Sequence, residues 1–256
     1  ISLALKHGFE VDDVNINSST SQWEISESGD TLIQPLSSIK GLGDKAIEQI
    51  LINRPFNKIE DILFNKDVVH SKLGKKALDV LCRSGALDSL VDERFEGCQH
   101  FWMSCIQDKP KNPKRLKQNI EEFRKVCDGD FSKEQKIENV TSLTGLFPFN
   151  LVMTKEIRDA IGRWGCPSIG SYRKSIGYAW FIPREVTSRK TKNGKVYWNI
   201  KVIDDNSTVA TIRCWGINYG DQKPILNRPY VAKLSYSEDW GFSTRNYSRD
   251  FKLLGE

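Results

Sequence analysis

The run Leu36 to Ile47 reads Leu-Ser-Ser-Ile-Lys-Gly-Leu-Gly-Asp-Lys-Ala-Ile, with Gly41 and Gly43 bracketing Leu42. Glycine lacks a Cβ, so its backbone takes positive φ without strain and can come close to a phosphate. Main-chain amides that open a following helix would point at such an anion, aided by the helix dipole. Lys40 and Lys45 flank the loop and add charge, while Asp44 opposes an anion locally but suits a helix start. Contacts of this kind, expected from Lys40, Gly41, Leu42, Gly43 and Lys45, hold a sugar–phosphate backbone without reading bases. A plain turn between two helices that happens to use two glycines is the alternative reading.

A second set lies near the other end. Val196, Trp198, Ile200 and Val202 alternate with Tyr197, Asn199 and Lys201, the pattern of a strand buried on one face. Thr211, Arg213 and Trp215 would join the open face from the next strand. Aromatic rings there offer stacking surfaces to bases, and cations follow the backbone of a single strand. The loop from Arg189 to Lys195 contributes Arg189, Lys190, Lys192 and Lys195 beside that face. A solvated hairpin tip explains the same charges, and a slip of one residue in register would exchange the two faces.

Catalytic groups are harder to find. Nucleotidyl transfer needs acidic residues that hold two metal ions about 4 Å apart. Adjacent residues of a strand point to opposite faces, so neither Asp12-Asp13 nor Asp204-Asp205 forms such a site, and the second pair reads as turn chemistry. No phosphate-binding Walker loop, H-E-x-x-H helix or nucleophile elbow occurs. Cys98, His100, Cys105 and Cys127 lack the close pairs of a zinc knuckle. The six cysteines are scattered, which predicts reduced thiols and a cytoplasmic setting.

These residues need elements to position them. Apolar spacing predicts two short helices around Gly41-Leu42-Gly43, the form of a helix-hairpin-helix, through Leu36, Ile39 and then Ala46, Ile47, Ile50 and Leu51. A second helix pair follows, through Phe56, Ile59, Ile62 and Leu63 and then Leu73, Ala77, Leu78 and Leu81, stopping at Gly85. Its Lys72-Leu73-Gly74-Lys75-Lys76 run has one glycine only and reads as a degenerate repeat. Five strands are predicted after that, at Ile176–Ile182, Val196–Val202, Val209–Trp215, Tyr230–Tyr236 and Tyr247–Leu254. The chain is therefore expected to be α+β, a helical region followed by a five-stranded antiparallel barrel of the oligonucleotide-binding type. Its divisions are 1–35, with a short helix around Leu3 and strands near Gln22–Ile25 and Thr31–Gln34; 36–95, the tandem hairpins; 96–174, a connector with a lysine-rich piece at Lys109–Arg115 and a helix near Leu116–Val126; and 175–256, the barrel.

With these blocks in place, the sequence resembles the C-terminal portion of bacterial replicative DNA polymerase III alpha subunits. Val11 to Ser18 with Trp23 and Glu24 is similar to the end of that family's fingers region. Ile39 to Ala46 matches its helix-hairpin-helix, and Leu81 to Leu90 a run that follows it. Gly194-Lys195-Val196-Tyr197-Trp198 with Ile203-Asp204-Asp205 is similar to the central hairpin of its barrel. Asp13 and Val14 stand where the family has two prolines, and Pro35 and Ser37 where it has glycines. The resemblance implies primer-template duplex DNA and single-stranded DNA as partners, with the sliding clamp and other replisome subunits beside them. Leu143-Thr144-Gly145-Leu146-Phe147 is a partial clamp-peptide match lacking its leading Gln, or else a buried apolar connector. The resemblance implies no cofactor in this segment, with Mg2+ confined to the active site of a parent polymerase.

Composition agrees with a folded chain that binds a polyanion. Its 256 residues carry a net charge of +5, and 12 Phe, 7 Trp and 7 Tyr are enough to fill real cores. Residues 1–35 hold one lysine and six acids, whereas 176–256 hold thirteen basic and eight acidic residues. No apolar run is long enough for a membrane span, so no membrane partner is expected, and the start at Ile1 suggests a segment of a longer chain. Two other functions share these features: a free-standing accessory protein with the same two modules, and a scaffold whose barrel binds protein.

Overall fold

A computed structural model of the chain describes residues 2–69, 71–107, 118, 129–172 and 176–255. The lysine-rich piece at Lys109–Arg115, most of the helix predicted near Leu116–Val126, and Cys127 lie outside these residues. The chain forms two compact units: Phe9–Pro148, and Ile1–Gly8 together with Phe149–Glu256. Among the described residues no helix is long and apolar enough to cross a membrane.

The first unit opens on a small sheet of β1 (Glu10–Asp12), β2 (Glu24–Ile25) and β3 (Thr31–Ile33), with β3 between the other two. A 3-10 turn, Leu36–Ser38, leads into the loop at Gly41 and then into α2 (Asp44–Asn53). Next come α3 (Ile59–Leu63), α4 (Lys75–Arg83), α5 (Cys98–Phe101) with a π-helical turn at Trp102–Ile106, and α6 (Lys133–Thr144). The helical spacing read from the sequence is what buries the core. Leu36, Ile39, Ala46, Ile47, Ile50, Phe56, Ile59, Ile62, Leu63, Leu73, Leu78 and Leu81 all belong to one apolar cluster. Burying such side chains contributes about 1.5–3 kcal/mol each before entropy is counted. Gly85 ends α4 at φ +85°, as a helix stop requires. Ser132 caps α6, accepting from the Gln135 N–H while the Gln135 side chain accepts from the Ser132 N–H.

The other unit begins with α1 (Ser2–Lys6) and resumes with α7 (Phe149–Val152) and α8 (Lys155–Trp164). Its barrel comprises β4 (Ile176–Lys190), β5 (Val196–Ile203), β6 (Val209–Cys214), β7 (Tyr230–Ser237) and β8 (Gly241–Thr244). An irregularity between Pro183 and Glu185 lets the long β4 pair with β7 through its first half and β5 through its second. The ring order is β4-β5-β6-β8-β7, closed by β4 against β7. Phe181, Ile200, Val202, Ile212, Cys214, Ala232 and Leu234 fill the interior.

Two expectations are corrected here. The barrel is mixed rather than antiparallel, because β6 and β8 run parallel. Five strands in a closed ring cannot all alternate in direction, so one parallel neighbour pair is forced. The closing strand is also not Tyr247–Leu254. That segment forms a helical turn, α9 (Tyr247–Asp250), followed by the short β9 (Phe251–Leu253), which lies along β7. Asn246 causes the change by accepting the Arg249 N–H at 3.1 Å, and the strand that closes the ring is β8, immediately before it.

Candidate nucleic-acid interface

The glycine loop is built from the core outward. Leu42, named above as a contact residue, is buried, so its side chain anchors the loop and only its main chain is presented. The Lys40 N–H donates to the Leu143 carbonyl at 2.8 Å, tying the loop to the end of α6. Lys40, Gly41, Gly43, Asp44 and Lys45 are exposed. Gly41 sits at φ +90° and Gly43 at φ −84°, ψ 158°, so only the first needs glycine for its conformation. A Cβ on Gly43 would meet nothing within 4 Å, which leaves open space over the start of α2. The first amides of a helix have no intrahelical acceptor, and among the described residues nothing accepts from the N–H of Gly43, Asp44 or Lys45. An anion fits that space, although the Asp44 carboxylate in the first turn works against it.

The degenerate repeat ends up beside this loop. Lys76 Cε lies 3.6 Å from the position a Cβ on Gly41 would take. Gly74 caps α4 in extended conformation without a side-chain bond, and no acid occupies the first turn. Lys72, Lys75 and Lys76 are exposed around that helix start, with Lys72 3.8 Å from Glu48. Two helix N-termini thus stand next to each other, the second having more local positive charge than the first.

On the barrel the register places three rows on one outer face. Glu185, Lys201 and Thr211 form one, and Thr187, Asn199 and Arg213 the next. Arg189 pairs with Tyr197, whose ring stacks on Trp215 at 4.4 Å between centroids and 26° between planes. Directly opposed residues share a face, so these positions form one continuous surface. Trp198, Ile200 and Val202 point into the core as expected, whereas Val196 is exposed because it lies near the hairpin tip beyond the core. Lys195 Nζ stands 5.7 Å from the Trp215 ring centroid, a cation–π distance. Lys201 is held at 2.7 Å by Glu185, so it meets a ligand already paired. The Asn199 Oδ1 is enclosed without a donor in the middle of the face. Lys190 pairs with Val196 and so lies on the other face from Tyr197, and Lys192 is exposed in the turn.

One residue of this face was not anticipated. Trp240, at the β7–β8 turn, is 71% exposed, and the Arg213 guanidinium lies 5.8 Å from its ring centroid. Arg213 Nη1 also donates to the Trp240 carbonyl. The surface therefore runs from Tyr197 and Trp215 through Arg213 to a third ring. The sequence signal available was a single Trp beside Gly241 in an acidic turn.

The Asp204-Asp205 pair organises a turn. Asp204 is fully buried, accepting from Ser168 Oγ and the Gly170 N–H through Oδ2 and from the Asn206 and Thr208 N–H groups through Oδ1. Burial, then the charge of Asp204, raises the Asp205 carboxyl above its ordinary value. Cys98 Sγ donates to Asp88 Oδ1 at 2.5 Å, and His100 Nδ1 accepts from the Glu96 N–H. Among the described residues no group of three His, Cys, Asp or Glu side chains converges as a metal site. Burial pushes the Cys105 thiol up to about 12, far from a nucleophile at neutral pH. In the Leu143–Phe147 segment, Leu143 and Thr144 end α6, with Leu143 in the core, and Gly145 is the left-handed stop.

Residues 8–96 match the helix-hairpin-helix motif family. That match implies DNA binding, and the closed mixed barrel fits an oligonucleotide-binding fold. No curated protein matches the chain.

Proposed function

We propose that the chain is the DNA-binding segment of a replicative polymerase alpha-like subunit. In this reading the hairpin unit grips duplex phosphates behind a primer terminus, and the barrel holds the single-stranded template. The observation that carries it is the exposed start of α2, where the N–H groups of Gly43, Asp44 and Lys45 have no acceptor among the described residues, the space over Gly43 is open, and Lys40 and Lys45 are exposed beside it. The adjacent α4 start, with Lys72, Lys75 and Lys76, gives the duplex a second phosphate contact. The barrel face supplies rings and cations in the alternation a single strand uses. Any Mg2+-dependent nucleotidyl transfer belongs to carboxylates of the parent polymerase, and this segment contributes grip and alignment.

The two modules can be separated by charge. Reversing Lys40 and Lys45 to Glu together should weaken binding of a blunt duplex by about tenfold or more while leaving oligothymidylate affinity in place. Arg213→Ala should do the reverse. Anisotropy titrations of the full chain measure both, and equal losses on both ligands from either variant would remove the assignment of duplex to hairpin and single strand to barrel.

A further inference from the structure

The barrel carries a second surface, away from β5 and β6. α8 stops at Gly165, and the chain then runs through Cys166 and Pro167 along the outside of β4, where the Trp180 N–H donates to the Pro167 carbonyl at 3.0 Å. Between this run and the β4–β7 wall lies a cavity of about 460 Å³, lined by Trp164, Cys166, Pro167, Ile176, Tyr178 and Val231. Three of these are strongly exposed, Trp164 at 63%, Ile176 at 63% and Tyr178 at 58%. The cavity's volume lies within the roughly 300–1,000 Å³ typical of clefts that take a ligand on a mostly apolar lining.

The rim is basic. Lys233 is directly opposite Tyr178, and Lys252 directly opposite Val231, so both project from the outer face that carries the groove. Arg163 precedes Trp164 on α8. All three are exposed, and none has a carboxylate partner among the described residues. The floor itself holds no charged side chain.

We infer that this groove binds an acidic peptide segment of a partner protein, seating one bulky apolar side chain on the floor while flanking carboxylates meet Lys233, Lys252 and Arg163. An uncharged floor with separated cations suits that occupant better than a nucleic-acid backbone, whose phosphates repeat at short intervals along their whole path. Charge complementarity around an apolar anchor sets both specificity and encounter rate.

The test uses the full chain and a fluorescein-labelled peptide of Asp and Glu residues around a central Leu-Phe pair. Anisotropy should report saturable binding that falls by about tenfold in Ile176→Ser and in Lys233→Glu, both surface changes whose folding is checked by melting. Arg213→Ala should leave it unchanged, and oligothymidylate should not displace the peptide. Absence of binding, equal binding of a peptide with Ser-Ser in place of Leu-Phe, loss in Arg213→Ala, or displacement by oligothymidylate would each overturn the proposal. The DNA assignment of β5 and β6 is tested separately by Arg213→Ala, so the two fail independently.

Discussion

The two glycines of the hairpin do different work, and the difference is measurable. Gly41 holds φ +90°, a region that costs a non-glycine residue about 1–2 kcal/mol. Gly43 holds ordinary extended backbone and faces empty space. Gly43→Val should cost about 1 kcal/mol or less through the poorer helix cap, yet weaken duplex binding by about tenfold, because its side chain fills the phosphate approach. Melting and anisotropy on the same sample check this, and wild-type duplex affinity would count against the loop. The sequence made both glycines visible but could not say which one needed positive φ, since that depends on how Leu42 is pulled into the core between them. At Asp250, burial works to raise the carboxyl, but the Thr244 hydroxyl at 2.7 Å and the Arg249 guanidinium hold it below its ordinary 3.8. A depressed carboxyl contributes stability that is present above about pH 3.8 and is lost as pH falls through the lower folded value. Asp250→Asn should therefore destabilise the barrel by about 1–2 kcal/mol at neutral pH, a difference that disappears toward strong acid in denaturant titrations. Arg249 is largely exposed and contributes little of it.

At the level of elements, the period-two run around Trp198 was legible because each inward residue is large and apolar and each outward one polar or half-polar. The strand that closes the barrel was not. Gly241-Phe242-Ser243-Thr244 is four residues long and only Thr244 is buried, so it carries no alternation to read, whereas Tyr247–Leu254 has apolar residues enough to pass for a strand. Its position follows from closure, which requires a neighbour for both β6 and β7. Missing β8 also meant missing Trp240, which the β7–β8 turn carries to the side of Arg213. Trp240→Ala should lower affinity for oligothymidylate by about 1–3 kcal/mol, the worth of one stacked base, without changing the melting temperature. An unchanged affinity would confine the single-strand path to Tyr197 and Trp215.

At the level of the whole molecule, each of the two compact units carries a basic surface, and several acids are engaged in ion pairs or turns of their own while Asp44 stays at the start of α2. Glu60 and Asp92 hold Arg94 at 2.8 and 2.5 Å, Asp130 holds Lys136, and Asp204 organises its own turn. The net charge of +5 does not reveal this division, because sequence cannot show which carboxylates are already paired. Backbone binding by both units, as proposed, is read from the affinity of the full chain for primed duplex DNA over a range of salt. Release of counterions predicts that log affinity falls linearly with log salt, with a slope of about −0.9 for each phosphate neutralised. A steep straight line is the predicted result, and an affinity indifferent to salt would contradict it.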